Sequence, residues 1–210
     1  MKKIIIVISI LLLCGCKYVN GVDNNLILNY LNNNYGEENK FEYSHDGICN
    51  LYETGYCSSY YKSSDLKYEI YVVWYDGDGM NMKDDYLFKK YQDQIAAYYK
   101  KLFDPYIDGT FTIEVLSQNS DMNWDKDATF EEILKYDRLN LSIGVNIISN
   151  DKDTTDLGES LKGAIEKKKI KNVSSLYVTT YKKGCNLEDK DNCKKVNSSY
   201  IEVKITDKFH

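Results

Sequence analysis

The residues best spaced to do chemistry lie in one run, Asp121-Met122-Asn123-Trp124-Asp125-Lys126-Asp127-Ala128-Thr129-Phe130-Glu131-Glu132. Asp121, Asn123 and Asp125 stand at positions 1, 3 and 5, where side-chain oxygens could converge on a hard cation. The chemistry would be calcium binding, in the service of stability. A plainer reading needs no ion. Thr129 and Glu132 have the spacing of a capping box, in which each side chain bonds the other residue's main-chain N–H.

The run is similar to the calcium loop of EF-hands, a resemblance that implies a main-chain carbonyl ligand from Asp127 at position 7, a direct or water-bridged oxygen from Thr129 at position 9 and a bidentate carboxylate from Glu132 at position 12. Two features depart from that pattern. Position 6, where the loop turns sharply and glycine is favoured, is Lys126, which meets a steric penalty there and brings its own cation. The element leading into the loop also reads as a strand where an EF-hand has a helix. A second acidic stretch, Asp76-Gly77-Asp78-Gly79, places Trp74 at the first ligand position when aligned by Gly79. It is read as a turn.

Hydrolytic machinery is hard to assemble from this chain. It has no Gly-x-Ser-x-Gly elbow, Walker loop, His-Glu-x-x-His or Gly-x-Gly-x-x-Gly. Of its two histidines, His45 and His210, only His45 is interior to the sequence, in Tyr43-Ser44-His45-Asp46. It is read as a surface or structural residue. No catalytic residue is assigned, and no cofactor is expected beyond the candidate calcium. A carboxylate pair for glycoside hydrolysis could still be assembled by the fold, since the chain holds 32 acidic residues.

The amino-terminal segment carries a different chemistry. Lys2 and Lys3 precede an apolar run, Ile4 to Leu13, interrupted only by Ser9. Such a run is far short of the roughly 20 residues of a spanning helix, and it has the layout of a secretory signal. The segment ends in Leu13-Cys14-Gly15-Cys16 and resembles the lipobox of bacterial lipoprotein precursors. That resemblance implies that the Cys16 thiol receives a diacylglycerol, palmitate being a typical acyl chain, and that a peptidase cuts before Cys16. It makes residues 1–15 a signal peptide, residues 16–23 a lipidated cysteine with a short tether, and residues 24–210 the extracytoplasmic part. Two acyl chains hold a protein stably where one does not. The tether Lys17–Asp23 reaches at most about 25 Å when extended, which favours a partner at or near the membrane.

With Cys16 lipidated, Cys49, Cys57, Cys185 and Cys193 remain, an even number in an exported chain. Four cysteines allow three pairings. Cys49 to Cys57 and Cys185 to Cys193 are both eight positions apart, and each pair brackets a turn-like stretch. Two local bridges are expected, each closing a hairpin or loop. Zinc is disfavoured, because neither pair has Cys-x-x-Cys spacing or a nearby histidine pair.

The elements that must position these groups follow from periodicity. Residues 24–35 read as a short helix capped by Asp23 and ended by Gly36, and residues 41–61 as a hairpin around the first cysteine pair. Tyr68–Tyr75 is a β-branched and aromatic strand. Asp84–Phe103 is the clearest helix, with acids Asp84 and Asp85 at its start and Lys100 and Lys101 at its end. Phe111–Leu116 reads as a strand and Thr129–Tyr136 as a capped helix. Residues 139–147 alternate strictly and predict a strand with one buried face. Thr155–Lys169 is an amphipathic helix, and Val173–Tyr181 and Tyr200–Ile205 are strands flanking the second cysteine pair. The order predicts an α+β fold with a mixed or antiparallel sheet, about four helices and hairpin loops stapled by disulfides. The polar stretch 117–128 could divide the chain. One domain over 24–210 is preferred, because each half would be short for a stable core.

Composition narrows the function classes. The formal net charge is −5, and it becomes −7 once Lys2 and Lys3 are removed. That balance argues against nucleic acid and against adhesion to anionic lipid. Tyrosine is abundant, at 20 residues, and is dispersed along the chain. It is read as the compositional bias of an A/T-rich bacterial genome ahead of a carbohydrate- or peptide-binding surface. The expectation is a lipoprotein held by its lipid outside the bacterial cell membrane. Its domain would be non-catalytic and bind a protein or cell-wall partner. Alternatives are a small envelope hydrolase using two carboxylates on wall polymer, and a calcium-stabilised binding module.

Overall fold

Two four-stranded sheets carry most of the strand residues, and a two-residue pair precedes the first of them among the described residues. The computed structural model describes residues 18–19, 22–51, 53–75, 81–117, 125–136, 139–149 and 153–203. The chain divides into two compact units. The first runs to Lys89 and takes in the described residues 125–126; the second comprises 90–117 and the described residues from Asp127 onward. The fold is α+β, with an antiparallel sheet in the first unit and a mixed sheet in the second. Among the described residues no helix is long and apolar enough to cross a membrane.

In the first unit, the two-residue strands β1 (Tyr18–Val19) and β2 (Val22–Asp23) pair ahead of helix α1 (Asn24–Tyr35). Asp23 accepts a hydrogen bond from the Asn25 N–H, and Gly36 ends the helix at φ 95°, a conformation that favours glycine. β3 (Glu42–Asn50), β4 (Tyr56–Lys62), β5 (Ile70–Trp74) and β6 (Met82–Asp84) then form an antiparallel sheet in chain order. Cys49 and Cys57 are register partners across the β3–β4 hairpin and are disulfide-bonded, with Cα atoms 4.0 Å apart. Tyr61, Ile70, Val72 and Trp74 are fully buried in this unit's core.

The expected helix start at Asp84 is displaced. Asp84 ends β6, and helix α2 (Tyr86–Phe103) begins two residues later. The reason is tertiary. The Asp84 carboxylate is buried and accepts hydrogen bonds from the Tyr30 hydroxyl at 2.7 Å, the Tyr35 hydroxyl at 2.9 Å and the Tyr86 N–H at 2.8 Å. Burial pushes its pKa up, and the three donors oppose that shift. Burial, then the Asp84 charge, pushes the Tyr30 and Tyr35 phenols well above their ordinary range. Asp85 accepts from the Tyr71 N–H at 2.7 Å and lies 3.5 Å from the Lys89 ammonium. Burial still pushes its carboxyl up to about 6.

In the second unit, β7 (Phe111–Ser117) and β8 (Leu141–Ile148) run antiparallel, β8 and β9 (Val173–Tyr181) run parallel, and β10 (Lys195–Glu202) closes the order β10-β9-β8-β7. Helix α3 (Phe130–Lys135) opens with the expected capping box. Helix α4 (Thr154–Lys167) supplies the long crossover that a parallel pair requires, and it packs on β9 and β10. Its Gly158 permits a close approach: a Cβ there would lie 2.5 Å from Ile201 Cγ1. The C-terminal turns of α2 belong to this unit and are fastened by polar bonds. Gln92 Nε2 donates to the Val115 carbonyl at 2.7 Å, and the Tyr99 hydroxyl donates to Asn172 Oδ1 at 2.9 Å.

β8 departs from its expected pattern. Ile143, Val145 and Ile147 are buried as predicted, but Ser142 and Asn146 on the opposite face are only 3% and 4% exposed. β8 is flanked on both edges, and the 3-10 segment Leu187–Asn192 packs against β7 and β8. A face that reads as solvent-directed is therefore covered.

Two outcomes test this packing. Gly158→Ala should destabilise the protein by about 1–3 kcal/mol through overpacking against Ile201, whereas Gly163→Ala, on the open side of the same helix, should stabilise it by about 0.5–1 kcal/mol, both read by urea unfolding. The raised Asp85 pKa means the folded state holds that proton more tightly than the unfolded chain. Its contribution is full below the unfolded value of 3.8 and is lost as pH rises through about 6. Between pH 7 and pH 4 the parent should gain on the order of 2 kcal/mol relative to Asp85→Asn. Parallel pH profiles for the two proteins would contradict this assignment.

Candidate functional site: a polar groove on the mixed sheet

Strand pleating places alternate residues of β7, β8 and β9 on one face. Glu114 and Leu116 of β7 stand in register with Gly144 and Ser142 of β8, and Gly144 and Asn146 stand in register with Tyr177 and Thr179 of β9. These side chains floor a groove of about 540 Å³. The opposite face holds Ile143, Val145, Leu176 and Val178, which are fully buried. The groove is thus the polar half of a sheet whose apolar half builds the core.

A loop forms one wall. Cys185 and Cys193 are disulfide-bonded with Cα atoms 5.5 Å apart, pinning the 3-10 segment Leu187–Asn192 beside the sheet. Leu187 is buried, and Lys190 forms an ion pair with Glu114. Lys190, Asp191 and Cys193 line the groove from the loop, and Tyr181 and Lys195 line it from the far strands.

The floor is polar and incompletely satisfied. Ser142 Oγ lies 2.8 Å from Ser175 Oγ. Among the described residues Asn146 Nδ2 is buried without a hydrogen-bond partner. Such an atom costs about 1–3 kcal/mol, and a ligand that satisfies it recovers that cost. At the rim, Tyr177 is 45% exposed, with its ring 5.1 Å from that of Tyr200.

The residues singled out from sequence have different fates. The two disulfides form with the expected pairing. Cys16 and residues 1–15 lie outside the described residues, as do Asp121 and Asn123 of the acidic run and the whole of Asp76–Gly79. Of the remaining acidic-run residues, Asp125 and Asp127 are exposed. Glu132 accepts from the Thr129 N–H at 2.7 Å and the Thr129 hydroxyl at 2.8 Å, the capping arrangement, and these bonds hold its carboxyl below the usual range. Among the described residues no three His, Cys, Asp or Glu side chains are grouped to hold a metal.

His45 has closer company than its sequence neighbourhood suggests. It stacks on Tyr60 with ring centroids 4.4 Å apart, and its Nδ1 lies 3.3 Å from Ser44 Oγ and 3.8 Å from Glu69. The Ser44 hydroxyl donates to Glu69. A nucleophile–base pair would direct that hydroxyl to the imidazole. A register shift in β3 between Tyr43 and His45 brings consecutive residues together here. The tyrosines, dispersed in sequence, also converge in the fold: Tyr60 and Tyr71 lie 5.1 Å apart on the sheet of the first unit.

Sequence reading missed the groove because its floor comes from three strands and its wall from a loop. The available signal was the row Ser142, Gly144 and Asn146 between apolar residues, beside a stapled loop. No family model, curated protein or solved structure matches this chain.

If the disulfide holds the wall, the paired variant Cys185→Ser with Cys193→Ser should lose about 2–3 kcal/mol, as expected for a short closed loop. Limited trypsin digestion should also cut it faster after Lys190 than the parent. Unchanged cleavage would mean that the Glu114 ion pair and the Leu187 anchor hold the loop alone.

Proposed function

We propose that this chain is a lipid-anchored, extracytoplasmic bacterial lipoprotein whose second unit is a non-catalytic binding module. The groove on the mixed sheet is the observation that carries the binding role. It has the size of a small-ligand site, convergent polar groups and an exposed aromatic rim. Support for the location is separate. Leu13-Cys14-Gly15-Cys16 supplies the lipidation signal, and two disulfides are compatible with an oxidising compartment outside the cytosol. The short tether favours a partner close to the membrane surface.

One observation favours a second reading. Glu114 and Asp191 both line the groove, so a carboxylate-dependent hydrolase of wall polymer has two acids to draw on. The Glu114–Lys190 ion pair speaks for the binding role, because it engages one of those acids in holding the loop. Cleavage of a wall oligosaccharide by the parent, lost in Glu114→Gln, would decide for the hydrolase.

The anchor is tested in a bacterial host. The parent should fractionate with membranes and incorporate labelled palmitate. Cys16→Ala should incorporate none and leave the mature membrane form. A native product with an unprocessed amino terminus or an unmodified Cys16, read by mass spectrometry, would overturn the location.

A further inference from the structure

We propose that the groove of the second unit binds a short uncharged saccharide, an inference that rests on the binding-module reading and gives it a ligand class. Three observations converge on this chemistry. The first is charge. The groove holds Glu114 and Asp191 against Lys190 and Lys195, so its formal charges cancel. Glu114 and Lys190 are, moreover, paired with each other. A strongly anionic or cationic ligand would find no net attraction and would have to compete with that pair.

The second is hydrogen bonding. The floor offers a carboxamide and hydroxyls, from Asn146, Ser142 and Thr179. Asn146 is nearly fully buried and lines the groove, and its Nδ2 lacks a partner. A floor of neutral donors and acceptors, with one unpaired amide nitrogen among them, matches a ligand rich in hydroxyls, each of which both donates and accepts. Gly144 lies between Ser142 and Asn146 on the same face and carries no side chain to fill the groove. A Cβ there would stand 3.4 Å from Glu114 Cβ.

The third is the rim. Tyr177 presents a half-exposed ring beside Tyr200, a rigid surface with an apolar face and a polar tip. A sugar ring has the complementary character, with an apolar C–H face and a polar edge. A purely apolar ligand would leave the floor unsatisfied.

The experiment titrates the processed, disulfide-intact chain with chitotetraose, maltotetraose and a hyaluronan tetrasaccharide by calorimetry. At least one of the two uncharged saccharides should bind saturably, and the charged one should bind about tenfold more weakly or not at all. Tyr177→Ala and Asn146→Leu should each weaken binding by about tenfold or more, whereas Tyr60→Ala in the other unit should leave it unchanged. Tyr177 is exposed enough that its variant folds even where Asn146→Leu does not. Absence of binding by both uncharged saccharides, tighter binding of the charged one, or indifference to Tyr177→Ala would overturn the saccharide. A photo-crosslinker at position 177 of the membrane-tethered chain separates the two failures. A non-saccharide adduct leaves a binding module with another ligand, and no adduct at all removes the module as well.

Discussion

The pleat of β8 is the constraint on which the second unit turns. Its alternation sends Ile143, Val145 and Ile147 into the core and Ser142, Gly144 and Asn146 to the opposite face. A one-residue slip in register would exchange the two sets and remove both core and groove. Flanking strands on both sides hold that register, one antiparallel and one parallel. The polar face can therefore carry an unpaired amide without losing its place, because the apolar face fixes the strand independently.

The first unit solves a different problem. Its helix α1, strand β6 and the start of α2 meet at a buried carboxyl group, and the donors that surround Asp84 come from residues far apart in sequence. Removing one donor from such a site is costly, because a buried carboxyl oxygen is left unsatisfied. The network thus ties these three elements to one another. Tyr86 extends it, donating to Asp65 at 2.7 Å and accepting from Asn39 Nδ2 at 3.1 Å.

Local features of the fold were legible in sequence and distant ones were not. Asp23 and Gly36 bound α1 as their types predict, the Thr129–Glu132 box opens α3, and equal cysteine spacing identifies both bridges, because each of these is settled within a few residues. The burial of Ser142 and Asn146 was not legible, since it depends on a loop more than 40 positions away. Asp84 read as a helix-start acid because its spacing fits one, and the tyrosines that claim it lie 54 and 49 positions upstream. The groove was invisible for the same reason: periodicity reports which side of a strand faces outward, not what another segment places above it.

Strand β3 sits at the free edge of the antiparallel sheet and is largely exposed along its length. A straight edge of that kind is a template for strands of other molecules. Here two irregularities interrupt its ladder, between Tyr43 and His45 and between Asp46 and Cys49, and a covalent bridge fixes its far end. Interruptions of this kind, at the place where Ser44 and His45 come together, are among the devices that blunt an edge strand as a template.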